Sequence, residues 1–156
     1  MTRYILTLLI IGISANTTAE PVSFQVFSMD VADEWTYLVE QSTTISDTPG
    51  ELISVYQPNG SGVMKMMSYV APGIISMDRL RLITNVEIST TLPWQEWGDL
   101  SGYHYSYIEN EKFYKQWWLL NEGTIIWITY ESVADEPRTE IETIDQMVNS
   151  IKLNLL

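Results

Sequence analysis

Residues 102 to 131 read GYHYSYIENEKFYKQWWLLNEGTIIWITYE. Aromatic and branched residues are concentrated in three runs of this stretch, at residues 102–109, 112–120 and 124–131. Such runs are typical of β-strands. The short polar segments between them, Asn110-Glu111 and Asn121-Glu122-Gly123, have the composition of hairpin turns. The stretch therefore predicts a three-stranded antiparallel meander.

The register of this meander decides which side chains share a face of the sheet. We expect Tyr107 to pair with Tyr114, and Trp118 to pair with Ile126. One face then carries Tyr103, Tyr105, Tyr107, Tyr114, Trp118, Ile126, Ile128 and Tyr130. The opposite face carries Ile108, Phe113, Trp117, Leu119, Ile125 and Trp127. Because both faces are apolar, we expect the sheet to be covered on both sides.

More strands are expected before the meander. Residues 51–57 and 63–70 are apolar runs that flank the turn-forming segment Pro58-Asn59-Gly60-Ser61-Gly62, which predicts a hairpin. Phe24, Val26 and Phe27 indicate an earlier strand that ends in a turn at residues 30–34. Residues 35–39 then resume an extended pattern.

Two helices complete the predicted fold. Ser76 is suited to cap a short helix in which Met77, Leu80, Ile83 and Thr84 fall near one stripe. Asp135 or Thr139 is suited to cap an amphipathic C-terminal helix that runs to about Ile151, with Pro137 in its first turn. We therefore expect an α+β fold, a curved and mostly antiparallel sheet flanked by helices, as one domain over residues 20–156.

The first nineteen residues have the pattern of a secretory signal peptide. Arg3 precedes an apolar run at residues 4–13, and small polar residues follow it up to Ala19. The apolar run is shorter than the roughly 20 residues that a membrane span needs. We expect cleavage after Ala19, a periplasmic or secreted mature protein, and no transmembrane span after cleavage.

Composition excludes several classes of protein. The chain has 156 residues, no cysteine, and a formal net charge of -12 from 8 basic and 20 acidic residues. Without cysteine, disulfide scaffolds, cysteine zinc fingers and iron–sulfur sites are excluded. Nucleic acid is not expected as a partner, because binding to phosphate backbones requires clustered Lys and Arg. The acidity is explained by solubility, and the alternative is attraction to a basic protein partner. We expect a monomer or a weak oligomer.

The chain resembles the PsbP-like and DcrB-like superfamily of small exported α/β sandwiches. The resemblance rests on an opening of the type Phe-x-Val and Asp-Glu-Trp between Phe24 and Trp35, on the aromatic meander, and on the closing segment Met147-Val148-Asn149-Ser150-Ile151. It implies a curved antiparallel sheet between helices. It also implies a mostly noncatalytic protein, such as an accessory subunit, a secretion chaperone or an immunity protein, and it transfers no catalytic residue.

The segment from Pro93 to Gly102 is the strongest candidate for partner binding. Trp94 and Trp97 alternate there with the carboxylates of Glu96 and Asp99. Tryptophan is common at the centre of protein interfaces, and charge steers the approach of a partner. The alternative is that both indole rings close the edge of the core.

Two other kinds of site are considered. Tyr103, Tyr105, Tyr107 and Trp118 on one sheet face could line a pocket for a sugar or a lipid. Glu96 and Asp99 could act as the paired carboxylates of a hydrolase. His104 is expected to pack beside Trp117 rather than act as a base, and Met64 and Met66 to fill the core rather than bind copper.

We therefore expect a non-enzymatic exported binding protein with no catalytic residue, no metal site and no cofactor. Its leading interpretation is a protein that engages a basic partner through an acidic surface containing tryptophan. Binding of a small ligand is the first alternative, and carboxylate-dependent hydrolysis the second.

Overall fold

The computed structural model describes residues 19–43, 49–70, 73, 75–84, 86–87, 89–133 and 138–154. The predicted signal peptide, up to residue 18, and the proposed helix cap at Asp135 lie outside the described residues. The first described strand begins at Glu20. Among the described residues, no helix is both long and apolar enough to cross a membrane.

The described chain contains ten strands and two helices in an α+β arrangement. Their order is β1 (Glu20–Ser23), β2 (Phe27–Val31), β3 (Thr36–Thr43), β4 (Pro49–Tyr56), β5 (Val63–Val70), α1 (Met77–Thr84), β6 (Gln95–Trp97), β7 (Leu100–Glu109), β8 (Lys112–Asn121), β9 (Thr124–Val133), α2 (Arg138–Asn149) and β10 (Lys152–Leu153).

All strand pairs are antiparallel, and they form two sheets. The large sheet has the order β3-β4-β5-β9-β8-β7-β6, and the small sheet has the order β1-β2-β10. The predicted meander is confirmed as β7, β8 and β9, and the predicted hairpin as β4 and β5. The two are joined by pairing of β5 with β9, which brings Met66 opposite Ile128.

One side of the large sheet, here called the core face, carries the main hydrophobic core. Ile53, Met66, Trp117, Leu119 and Ile128 are buried on it. The same cluster includes residues of the small sheet and of α2, among them Phe27, Met29, Ile144, Met147 and Val148. The small sheet and α2 therefore cover this face. Met64 and Met66 are fully buried here, as expected of methionine that fills a core.

The opposite side of the large sheet, here called the open face, carries a smaller cluster. Leu80 of α1 packs there with Tyr103, Trp118, Leu120 and Ile125. The Ser76 hydroxyl accepts a hydrogen bond from the Arg79 amide at 3.3 Å, which confirms Ser76 as the cap of α1. Of the predicted stripe, however, only Leu80 is buried, while Met77 and Ile83 are exposed. The helix therefore contributes little apolar burial of its own.

The predicted pairing of Trp118 with Ile126 is wrong by one residue. Trp118 pairs with Trp127, and Leu119 pairs with Ile126. Asn121 belongs to β8 and pairs with Thr124, so the turn contains two residues rather than three. Both of them, Glu122 and Gly123, have positive φ, as tight hairpin turns require. Because side chains alternate along a strand, this difference of one residue places every side chain of β9 on the face opposite to the predicted one.

Two other boundaries also differ from the prediction. The segment expected to turn at residues 30–34 remains extended as far as Val31, and the turn closes where the Trp35 amide donates to the Ala32 carbonyl at 3.1 Å. The second helix ends at Asn149 rather than at Ile151, and β10 follows it and pairs with β2. The chain thus returns to the small sheet after the last helix.

Candidate functional site

A groove of about 620 Å³ opens on the open face, where α1 ends. We call it the aromatic groove. Its described lining residues are Tyr69, Ile83, Thr84, Tyr105, Tyr107, Gln116, Trp118, Ile125 and Trp127. Ile83 and Thr84 come from α1, and the rest come from β5, β7, β8 and β9. The groove therefore lies between the helix and the aromatic rows of the sheet.

The strand register sets the aromatic rings in stacked pairs. Trp118 and Trp127 face each other across β8 and β9 with ring centroids 5.0 Å apart and planes 14° apart. Tyr107 stacks on Tyr105 at 5.9 Å and on Tyr114 at 5.0 Å. Each contact covers part of a ring face. Much of what these rings present to the groove is therefore ring edge and phenol hydroxyl.

Gln116 connects the two sets of rings through hydrogen bonds. Its Nε2 donates to the Tyr107 hydroxyl at 3.2 Å, and its Oε1 accepts from Trp127 Nε1 at 3.3 Å. Both bonds fix the orientation of the amide, which leaves one amide hydrogen and one lone pair for another partner. The centre of the groove therefore has a positioned polar group among apolar surfaces.

Trp118 contributes a buried donor beside this group. The residue is 8% exposed, and its indole N–H is shielded from solvent and has no hydrogen-bond partner among the described residues. Leaving such a donor without an acceptor costs about 1–3 kcal/mol. Because this nitrogen is shielded from solvent, it lies behind the groove surface and is not presented to a ligand.

The end of α1 is fixed to the sheet below the groove. The hydroxyls of Thr84 and Tyr103 form a short hydrogen bond, and Thr84 Oγ1 also lies 3.2 Å from the Arg81 carbonyl oxygen. Arg81 continues this anchoring, since its Nη2 donates to the Thr90 carbonyl oxygen at 2.7 Å. The wall that α1 forms is thus held by polar contacts as well as by Leu80.

The aromatic groove is electrically neutral. None of its described lining residues is Asp, Glu, Lys, Arg or His, although the whole chain has 20 acidic residues. Burial, together with the nearby Tyr107 and Tyr103, raises the pKa of Tyr105 to about 12, and burial also raises the pKa of Tyr69. These phenols therefore stay protonated at neutral pH and can both donate and accept hydrogen bonds.

The structure brings most of the sequence-predicted ligand residues together. Tyr105, Tyr107 and Trp118 line the groove. Tyr103 lies on the same face but is fully buried and is not among the lining residues, so its place in that set needs correction: it supports α1 from below. The predicted register, which differs by one residue, places Trp127 and Ile125 on the other face. The composition of the Asn121-Glu122-Gly123 segment does not place them, and the pairing of Asn121 with Thr124 in the structure does.

The segment proposed for partner binding forms a short hairpin at the sheet edge. Gly98 and Asp99 form its turn between β6 and β7, and the Asp99 carbonyl accepts from Asn121 Nδ2 at 2.6 Å. Trp94, Glu96 and Asp99 are exposed, whereas Trp97 is 7% exposed and belongs to the main core. Trp97 is therefore not available as a surface anchor, because its side chain points to the core face.

His104 lies in a packed aromatic environment. Its ring is 6.1 Å from the ring of Trp97 and 6.4 Å from that of Trp117, its cross-strand partner. Burial and the positive charge of Lys115 lower the pKa of His104, against a smaller opposing effect of Asp145. The ring is therefore uncharged at neutral pH.

The acidic side chains of the β6–β7 hairpin lie at the surface of the protein. Glu96 and Asp99 are both exposed on the β6–β7 hairpin. Within the described residues, no group of three or more His, Asp and Glu side chains is arranged to hold a metal ion.

Comparison with known proteins gives a relationship of fold alone. No family model and no curated protein matches the sequence. The chain is similar to a crystal structure from Bacteroides thetaiotaomicron VPI-5482, with a TM-score of 0.55 and 12% sequence identity. The match covers 83% of this chain and 45% of the other, so this chain spans less than half the length of that protein.

Proposed function

We propose that this protein binds a small neutral molecule in the aromatic groove and performs no chemistry on it. The observation that supports this most is the combination of volume and lining: about 620 Å³ bounded by aromatic, aliphatic and amide side chains without a charge. Ligand pockets typically measure about 300–1,000 Å³ and are mostly apolar with a few positioned polar groups. The Gln116 amide supplies such a group.

The lining defines the class of ligand. A neutral molecule with an apolar body would cover ring edges and Ile83, and a carbonyl or hydroxyl group on it would meet the Gln116 amide. A lipid with an uncharged head, such as a monoacylglycerol, fits this description better than a sugar, because stacked rings leave fewer free faces for sugar rings. An anionic ligand is disfavoured by the charge of -12.

The groove contains its own reporter, because Trp118 and Trp127 line it. We would titrate the chain with monocaprin, a short-chain monoacylglycerol kept below the concentration at which it aggregates, and with cellotetraose, and follow tryptophan fluorescence. Binding of monocaprin supports the lipid class, and binding of cellotetraose alone assigns the groove to sugars. If neither changes the emission, the proposal of a neutral lipid or sugar ligand is wrong.

Two neighbouring residues of β7 provide a matched pair of variants. Tyr107 lies on the open face and lines the groove, whereas Ile108 is exposed on the opposite side of the strand. Tyr107→Ala should weaken binding of the probe by about tenfold, since it removes a ring and a hydrogen bond to Gln116. Ile108→Ala should leave binding unchanged. Equal effects of the two substitutions would place the probe elsewhere.

A second proposal concerns the exposed hairpin. Trp94 is 36% exposed and shares a cleft of about 170 Å³ with Ile75, Leu120 and Thr124, and the exposed carboxylates of Glu96 and Asp99 follow it. This arrangement favours contact with a basic protein partner. The test is purification from the native host at low salt, with Trp94→Ala as the variant. A basic protein that leaves at high salt and is lost from the variant would support it.

We also propose that the chain is exported and that its mature form begins at Glu20, in the periplasm or outside the cell. The sequence pattern of residues 1–19 supports this. Within the α+β class, we propose membership of the PsbP-like and DcrB-like sandwiches, supported by the order of hairpin, aromatic meander and amphipathic helix. N-terminal sequencing of the exported protein tests the cleavage site. An uncleaved N-terminus would contradict it.

A further inference from the structure

One edge of the large sheet, formed by β3 and here called the open edge, has no neighbouring strand among the described residues. Strand β3 is the outer strand, and its register from Thr36 to Thr43 is with β4 alone. No other described strand pairs with it, so the outward-facing amides and carbonyls of its backbone have no strand partner in the described part of the chain. The side chains from Tyr37 to Gln41 are all exposed.

The two edges of this sheet are built differently. The opposite edge strand, β6, has 3 residues and ends at the buried Trp97. Strand β3 has 8 residues, TYLVEQST, without the lysine or proline that natural proteins place on edges to prevent pairing with another chain. The open edge is therefore suited to accept an added strand, whereas β6 is too short.

The side chains of β3 add apolar surface to this edge. Tyr37, Leu38 and Val39 are consecutive and exposed, with Leu38 51% exposed. Because side chains alternate, Tyr37 and Val39 lie on the core face, and Leu38 and Glu40 lie on the open face. A strand placed beside β3 would cover apolar groups on both faces. Glu40 is the one charged residue within these 8 positions.

We propose that β3 accepts an extended segment of a basic protein as an additional strand of the sheet. Backbone hydrogen bonds would give this interaction its affinity, as in other cases of strand addition. The charge argues for the nature of the partner. A second copy would bring another formal charge of -12 and place its own Glu40 at the same edge, whereas a segment with lysine or arginine opposite Glu40 gains attraction.

The test uses a peptide of 8 residues, as long as β3, in which lysine and valine alternate. Its binding to the chain is followed by fluorescence anisotropy of a dye on the peptide. Hydrogen exchange is compared with and without the peptide, and exchange should slow in residues 36–43 and not in residues 95–97. Two control peptides separate the causes. One has proline in place of a central valine and keeps the charge, and the other has glutamate in place of lysine.

Variants of the chain provide the second arm. Val39→Lys places a charge on the edge, and Ile108→Lys makes the same kind of change at a residue of β7 that is 66% exposed. We expect Val39→Lys to weaken binding by about tenfold and Ile108→Lys to change it less than twofold. Glu40→Lys should weaken binding by about three- to tenfold through loss of the cross-strand charge pair.

The proline peptide should bind at least about tenfold more weakly than the valine peptide, because it lacks one backbone donor and resists the extended pairing. Equal binding of the two would show attraction by charge alone and would overturn the proposal. Protection of other parts of the chain while residues 36–43 stay unprotected would also overturn it. So would a dimer of the free chain in which residues 36–43 are already protected, since a second copy would then occupy the edge.

Discussion

The ion pair between Lys115 of β8 and Asp145 of α2 joins the helix to the sheet, and its two ends differ in exposure. Lys115 Nζ lies 2.6 Å and 2.7 Å from the two carboxylate oxygens of Asp145. The side chains are 10% and 39% exposed, respectively. We therefore predict that Asp145→Ala destabilises the fold more than Lys115→Met does. The first leaves a buried ammonium group, and the second leaves a carboxylate that water can reach.

The magnitudes follow from this asymmetry. Removal of one partner from a fully buried pair costs about 3–5 kcal/mol, and hydrogen bonds to charged groups contribute about 1.5–3 kcal/mol each. Partial access of water at Asp145 reduces the first figure, while the ring of Trp117, 4.9 Å from Lys115 Nζ, still favours the cation. We expect a loss of about 2–3 kcal/mol for Asp145→Ala. Lys115→Met keeps the length of the side chain and should cost about 1 kcal/mol or less.

Urea unfolding followed by far-ultraviolet circular dichroism measures both losses, provided that the denaturant slope is unchanged. Glu131→Ala is the control, because it breaks the ion pair with Lys112 on the same sheet, where the side chains are 52% and 49% exposed. Its effect should be close to the experimental error. Equal losses for Lys115→Met and Asp145→Ala, or a larger loss for Lys115→Met, would refute the role that we assign to exposure.

Three further predictions concern the hairpin and the strands around it. Trp97→Ala should cost about 3–5 kcal/mol of unfolding free energy, whereas Trp94→Ala should cost about 0.5 kcal/mol or less, and a reversed order in urea unfolding would contradict the assignment of Trp97 to the core. Gly102→Ala should prevent stable folding, because its Cβ would lie 1.8 Å from the Trp118 carbonyl oxygen; a native circular dichroism spectrum would argue against this strand contact. Because the pKa of His104 is lowered below 6.5 in the fold, the unfolded chain binds more protons just below that pH, and His104 therefore makes stability fall as pH falls. His104→Gln should make the unfolding free energy less dependent on pH in this window, and an unchanged slope would show that His104 is not shifted.

The elements with strong local signals were predictable from sequence. Alternating aromatic residues and the turn-forming segments between them predicted the three strands of the meander, and Ser76 predicted the start of α1, because these signals act over a few residues. Pairings between distant parts of the chain were not predictable in this way. The contact of β5 with β9 and the small sheet of β1, β2 and β10 depend on packing over long sequence separations.

The candidate site shows how one residue of register changes a functional interpretation. If Asn121 belongs to the turn, the predicted register places Trp127 on the core face, where it could not stack on Trp118. With Asn121 paired to Thr124, Trp127 joins Gln116 and Trp118 in the groove. The composition of the turn supported both arrangements. Positive φ at Glu122 and Gly123 decides between them only once the backbone is known.

The division of the sheet into two faces makes the groove experimentally separable from the fold. The main core lies on the core face and contains none of the groove residues. Trp118 and Ile125 belong to the smaller cluster and carry packing energy, so their truncation would confuse loss of binding with loss of stability. Tyr107 and Ile83 line the groove yet are exposed. Changes at these two positions should therefore test binding while the fold stays intact, which neither Tyr103 nor Trp118 allows.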